Sequence, residues 1–427
     1  MFNRLVAGIA ALVHALCLHL SLGKVTPFIP LAEGGHYNLE VWEVDWPVKW
    51  RARYDFTEFV EHFSDEFKSK RPQVTLDVKF RLIPLHEFET EVLKGLASGN
   101  LPDVLAGPWV DLLLICGATV PLQAFVLPQE NPLFNKGALA AVTVGNSLHA
   151  IPRWVDPRCA AVNWELLAQL GLDADSVFRS GWSIQEFRSL GKLALINLDD
   201  PATVMDLVWA SGIEPRQLLT SADVLVELLQ EVSQIASNSR GQSLLEQFWT
   251  GKAAAIAPVG RGFIRHALER ASLCQAGELN ASVVRYRLVP LPSIGQAKGS
   301  ALVIPGRLDA VAVSATRNQT PQTLRLACEF AVAYAQASAW VASEVKALPA
   351  SARDLPWWHL TSGLDEDHWR FFMDCWNHLR VESAPADATP QTLEVLSGLK
   401  GSEAKALLMG EISPAQCVER LLGPWYP

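Results

Sequence analysis

Residues 37–107 read YNLEVWEVDWPVKWRARYDFTEFVEHFSDEFKSKRPQVTLDVKFRLIPLHEFETEVLKGLASGNLPDVLAG. The first stretch, 37–48, carries Leu39, Val41, Trp42 and Val44 and predicts a β-strand. Asp55, with Glu58 three residues on, predicts the cap of the next helix. Phe56, Phe59, Val60, Phe63 and Phe67 then recur on one helical face, and Pro72 ends the helix. Residues 74–83 alternate Val74, Leu76, Val78, Phe80 and Leu82, the pattern of a half-buried strand. A second helix with Phe88, Val92, Leu93 and Leu96 stops at Gly99, and 102–107 forms a short buried strand. The order strand, helix, strand, helix, strand demands parallel strands with right-handed crossovers, hence an α/β fold.

The pattern continues along the chain. Strands are predicted at 147–151, 160–162, 253–259, 286–291 and 310–313. Helices are predicted at 164–170, stopped by Gly171, and after a Ser183 cap, with Phe187 and Leu190 inside. Further helices are predicted at 222–235 and 321–342. Ser413, Pro414 and Gln416 form a capping box with proline at the first helical position. Residues 381–390 are small and polar and predict a linker.

With 427 residues, 49% apolar and 19% charged, the chain has material for real cores and is not disordered. At ~150 residues per domain it predicts two to three folding units. A net charge of −9 excludes an electrostatic nucleic-acid binder. Asn3 and Arg4 precede an apolar run over 5–22, interrupted by His14, Cys17, His19 and Ser21. That run predicts a secretory signal over 1–23, with Ser21 and Gly23 preceding a cut before Lys24, and therefore an extracytoplasmic location. Six cysteines remain, widely spaced among apolar residues, and predict buried thiols with few or no disulfides. Asp365, Glu366, Asp367 and His368 read as a solvated helix start rather than a metal site. The common catalytic and phosphate-loop motifs are missing, so no catalytic residue, metal or cofactor is expected.

Four ordered segments carry a resemblance. They are the helix-to-strand passage Phe63–Lys68 through Arg71-Pro72-Gln73-Val74; Leu96-Ala97-Ser98-Gly99-Asn100-Leu101-Pro102-Asp103-Val104; His149-Ala150-Ile151-Pro152 with Val162-Asn163-Trp164-Glu165-Leu166-Leu167, Leu170-Gly171-Leu172 and Gly181-Trp182-Ser183; and Phe248-Trp249-Thr250-Gly251-Lys252-Ala253-Ala254 with Val289-Pro290-Leu291-Pro292. Together the set resembles the extracytoplasmic solute-binding proteins of ABC importers, in their maltose-binding-protein-like carbohydrate group. Two positions depart from the family pattern: Val162 stands where a tyrosine is usual, and Pro305-Gly306-Arg307 where two glycines are usual.

The resemblance implies a periplasmic-binding-protein-like type II fold: two α/β lobes with a hinged cleft that closes on its ligand. It implies lobe one at 37–155 plus 285–311 and lobe two at 163–259 plus 314–427. The hinge crossings fall near 156–162, 258–261 and 310–314. It further implies a monomer whose partners are a small-molecule carbohydrate and the permease subunits of an ABC transporter. Ligands of open α/β sheets lie beyond the carboxyl ends of the strands. The candidate ligand-binding residues are therefore Asp45, Trp46, Trp109, Asp111, Arg153, Trp154, Asp156, Arg261, Arg307 and Asp309, with Trp209 added. Indole faces suit sugar C–H surfaces, and carboxylates and guanidinium groups suit hydroxyls. Trp42, Trp164, Trp182 and Trp249 are expected in the core, and Arg158 with Asp156 as a weak surface pair across Pro157. Rival readings are a binder of glycerol phosphate or another anion, resting on Arg153, Arg261 and Arg307, a ligand-presenting sensor module, and a glycan-cleaving enzyme.

Overall fold

The computed structural model describes residues 26–46, 50–108, 110–126, 133–200, 202–213, 222–241, 243–279, 284–294, 303–315, 319–337, 341–381, 395–396 and 398–422. The expected signal segment over 1–23, Trp109 and residues 382–390 of the expected linker lie outside the described residues. The strands are β1 (His36–Asp45), β2 (Thr75–Pro84), β3 (Val104–Gly107), β4 (Thr143–Val144), β5 (Ser147–Leu148), β6 (Ala150–Pro157), β7 (Cys159–Asn163), β8 (Ala194–Ile196), β9 (Ala255–Val259), β10 (Tyr286–Val289), β11 (Ile304–Val313), β12 (Leu348–Pro349) and β13 (Leu379–Val381).

The chain divides into two compact units, Met1–Val155 with Leu308–Gly363, and Asp156–Arg307 with Leu364–Pro427. In the first unit the strand order is β12-β6-β11-β3-β1-β2. β1 runs parallel to both β2 and β3, as the opening stretch requires, while β11 is antiparallel to β3. The intervening helices are Trp50–Lys70 and Leu85–Ser98. Gly99 ends the second in the left-handed conformation, at φ 67°, where glycine carries no Cβ penalty. Phe88, Val92 and Leu96 are the buried stripe of that helix. Phe63 of the first helix meets Phe330 of helix Pro321–Ala337 edge-on at 5.0 Å, and Phe59 lies 5.3 Å from Tyr334.

The second unit holds the sheet β10-β7-β9-β8. β7 is antiparallel to both β10 and β9, and β8 is parallel to β9. Its core joins Leu225, Leu228, Val232 and Ile235 of helix Ala222–Ser239 with Leu407, Val418 and Leu421 from the C-terminal helices. Ser183 and Glu186 make the reciprocal capping box. Ser413 and Gln416 also bond reciprocally, at 2.9 and 3.2 Å.

The observed division corrects the expected lobe boundaries. Residues 285–307 fall in the second unit, because β10 hydrogen-bonds along β7 from Tyr286↔Asn163 to Val289↔Ala160. Residues 314–363 fall in the first, because helix Pro321–Ala337 packs its aromatic residues on Phe59, Phe63 and Phe80 and β12 pairs with β6. The chain passes between units at 155/156, 307/308 and 363/364, with no passage near 258–261. Of the helix expected at 321–342, the described residues show Pro321–Ala337 and the start of Val341–Val345. Among the described residues no helix is long and apolar enough to cross a membrane.

Candidate functional site

Among the described residues each unit carries a buried charge cluster, and the two clusters contain most of the candidate residues. In the first unit the cluster grows from Glu43, an acid set in the apolar run of β1 and fully buried. Arg153 of β6 grips it bidentately, Nη1 to Oε2 at 2.7 Å and Nη2 to Oε1 at 2.9 Å. The Tyr334 hydroxyl donates to Oε2 at 2.8 Å, and the Trp46 indole N–H donates to Oε1 at 3.1 Å. Arg153 Nε donates to Asp309 Oδ1 at 2.5 Å, joining β6 to β11. Burial works against the Arg153 charge, but Asp309 and Glu43 outweigh it and hold the guanidinium protonated. Burial, followed by the adjacent Glu43 charge, pushes the Tyr334 hydroxyl well up.

The two indoles of this cluster are interior groups. Trp46 and Trp154 meet edge-on at 5.9 Å, and the Arg153 guanidinium lies 4.1 Å from the Trp154 ring centre. Only 4% of Trp46 and 1% of Trp154 is exposed. Asp45 closes β1 half-buried. Asp111 is half-buried in helix Val110–Ile115, its Oδ1 accepting the Leu112 N–H at 3.0 Å. A shallow pocket of the same unit is lined by Phe134, Pro152, Arg153, Gln336, Ser351 and Asp354, among others. Burial pushes the Asp354 carboxyl up, against the pull of Arg353.

In the second unit Asp156, Arg261 and Arg307 come together around Arg158, Asp200 and Asp206. Arg158 donates from Nε to Asp206 Oδ2 and from Nη2 to Asp200 Oδ2, both at 2.9 Å. Arg307 reaches the same two oxygens, Nη1 to Asp200 at 2.9 Å and Nη2 to Asp206 at 2.8 Å. Asp156 Oδ1 accepts the Arg261 backbone N–H at 2.7 Å, and its Oδ2 stands 3.6 Å from Arg158 Nη1. Asp206 is fully buried and Arg158 nearly so. The expected surface pair of Arg158 and Asp156 is therefore corrected to part of an interior network, where a broken pair leaves a stranded charge. Burial acts to raise Asp200, but Arg307 and then Arg158 outweigh it and hold the carboxyl below its ordinary value.

Trp209 lies in the core of this unit, its ring 4.8 Å from the Arg380 guanidinium. Trp42, Trp182 and Trp249 are buried. Trp164 differs from its expectation: it is exposed, and Arg287 lies 3.7 Å from its ring centre. Asp365 caps helix Glu366–His378, accepting from the His368 N–H at 2.9 Å. Among the described residues no group of three His, Cys, Asp or Glu side chains is arranged to hold a metal. The six described cysteines are unbridged. Burial pushes Cys116 up to about 11, with Asp111 adding to it.

Sequence reasoning missed Glu43, Tyr334, Asp200 and Asp206. The available signal for Glu43 is an acid between Trp42 and Val44 inside a strand, where burial demands a cationic partner.

No protein-family model and no curated protein sequence matches the chain. Solved structures do. The acarbose-binding GacH receptor of Streptomyces glaucescens is 16% identical, covers 92% of this chain and 97% of its own, and superposes at a TM-score of 0.59. The sugar-binding protein MalE of Xanthomonas citri is 16% identical, with 90% and 95% covered and a TM-score of 0.60. A solute-binding protein of an ABC transporter from Thermotoga lettingae, bound to α-D-tagatose, is 14% identical, with 91% and 100% covered and a TM-score of 0.57. The chain has the fold of the maltose-binding-type solute-binding proteins. At these identities the likeness concerns the fold, the α/β architecture expected from residues 37–107 onward.

Proposed function

We propose that this chain is an extracytoplasmic solute-binding protein that captures a carbohydrate and delivers it, unaltered, to the permease of an ABC importer. The observation that carries this reading is a solute-binding fold shared over nine-tenths of the chain with proteins seen holding acarbose or tagatose. The signal-like N-terminus supports export. In this reading the polar groups offered to hydroxyls are Asp45 and Asp111 in the first unit and Asp156 and Arg261 in the second, each unit taken by itself. Within the first unit the buried Glu43–Arg153–Asp309 cluster holds the Trp46 and Trp154 indoles in the interior. The anionic-solute alternative finds less support, because Arg153 and Arg307 already face carboxylates.

A thermal-shift panel of neutral mono- and oligosaccharides tests this reading. A ligand at a hundredfold excess over its Kd adds about 2.7 kcal/mol, so at least one sugar raises the Tm by several degrees. A folded protein with no shift across the panel, or one that releases cleaved product, overturns it.

A further inference from the structure

We propose that Asp200 is a specificity-determining residue: it holds the Arg158 and Arg307 guanidinium groups so that this cluster does not accept an anion. The inference rests on the solute-binding reading above and refines its ligand class.

Arginine is the residue best suited to phosphate and carboxylate ligands, through its planar fork of donors. The second unit gathers Arg158, Arg261 and Arg307 in one place, a constellation that by itself invites an anion. Their charge is matched by Asp156, Asp200 and Asp206, so the described cluster is formally neutral. Both terminal nitrogens of Arg307 are held, one by Asp200 and one by Asp206. A phosphate approaching Arg307 would have to displace a carboxylate that already makes the bond it seeks.

The two acids differ in accessibility. Asp206 is fully buried and braces the network from inside. Asp200 is partly exposed, its side chain 22% exposed beside an Arg307 side chain 29% exposed. Its Oδ2 takes both Arg158 and Arg307, while its Oδ1 accepts the Ala202 N–H at 3.1 Å. Of the two acids that hold Arg307, Asp200 is thus the one whose neutralisation exposes cationic charge to solvent. Asn at this position keeps an oxygen for the Ala202 N–H and removes the charge, leaving the cluster at net +1.

Calorimetric titration with inorganic phosphate, on the full chain at constant ionic strength, tests this. The unsubstituted protein gives no saturable phosphate binding at millimolar concentrations. Asp200→Asn gains phosphate binding at least tenfold tighter, and adding Arg307→Gln abolishes the gain. Asp200→Ser, which also retains an acceptor for Ala202, takes its place should Asp200→Asn not fold. Saturable submillimolar binding by the unsubstituted protein overturns the proposal, as does a folded Asp200 variant without gain. The phosphate arm is independent of the neutral-sugar panel, so a failure of sugar binding leaves the Asp200 result readable on its own.

Discussion

Glu43 accepts four hydrogen bonds, two on each carboxylate oxygen, from Arg153, Trp46 and Tyr334. Removing one member of a buried ion pair strands the other's charge and typically costs about 3–5 kcal/mol. Glu43→Ala is therefore expected to destabilise the protein by that amount in urea unfolding, and a loss below ~1 kcal/mol contradicts the network's role. Gly260 makes a second residue-scale test. A Cβ added there would lie 2.7 Å from Asp156 Oδ1 and still closer to the Arg158 guanidinium. Gly260→Ala is expected to cost about 1–3 kcal/mol through overpacking, visible as a lower denaturation midpoint; an unchanged midpoint shows that the cluster yields. At this scale the sequence was half legible. Arg153, Asp309, Trp46 and Trp154 stand out as polar or aromatic groups beside expected strands, although Arg153 and Trp154 lie within β6 and Asp309 within β11. Glu43 and Tyr334 do not, because their partners lie 110 and 291 residues away along the chain.

Among the elements, the turn from β6 into β7 and the start of helix Thr203–Ala210 are tied together by Arg158, Asp200 and Asp206. Asp200 titrates below its unfolded value of roughly 3.9. Its contribution to stability is complete above that value and is lost as the pH falls through the lower folded one. Acid unfolding followed between about pH 5 and pH 2 should therefore be steeper in the unsubstituted protein than in Asp200→Asn. Equal slopes would show that Asp200 binds no fewer protons folded than unfolded. The element order of 37–107, and the caps at Ser183 and Ser413, were readable because periodicity and capping are local properties, although the first helix begins at Trp50, so Asp55 lies inside it and does not cap it. β10 was not placed correctly: alternation fixes which faces of a strand are buried but not which neighbour it pairs with, and here that neighbour is β7.

For the whole molecule, the same ambiguity moved 285–307 and 314–363 between units, while the α/β class survived it. Fold class follows from the order of elements, whereas unit membership depends on long-range pairing such as β12 with β6. A solute-binding role adds a demand that neither unit's core explains: the native state must gain free energy from a small molecule. Micromolar capture corresponds to about −8 kcal/mol. Isothermal titration of the purified, folded chain with neutral mono- and oligosaccharides measures that quantity directly. One sugar binding at one per chain with a micromolar Kd, recovered chemically intact, is the expected result. A folded chain that binds none of them, or that returns them cleaved, contradicts the account.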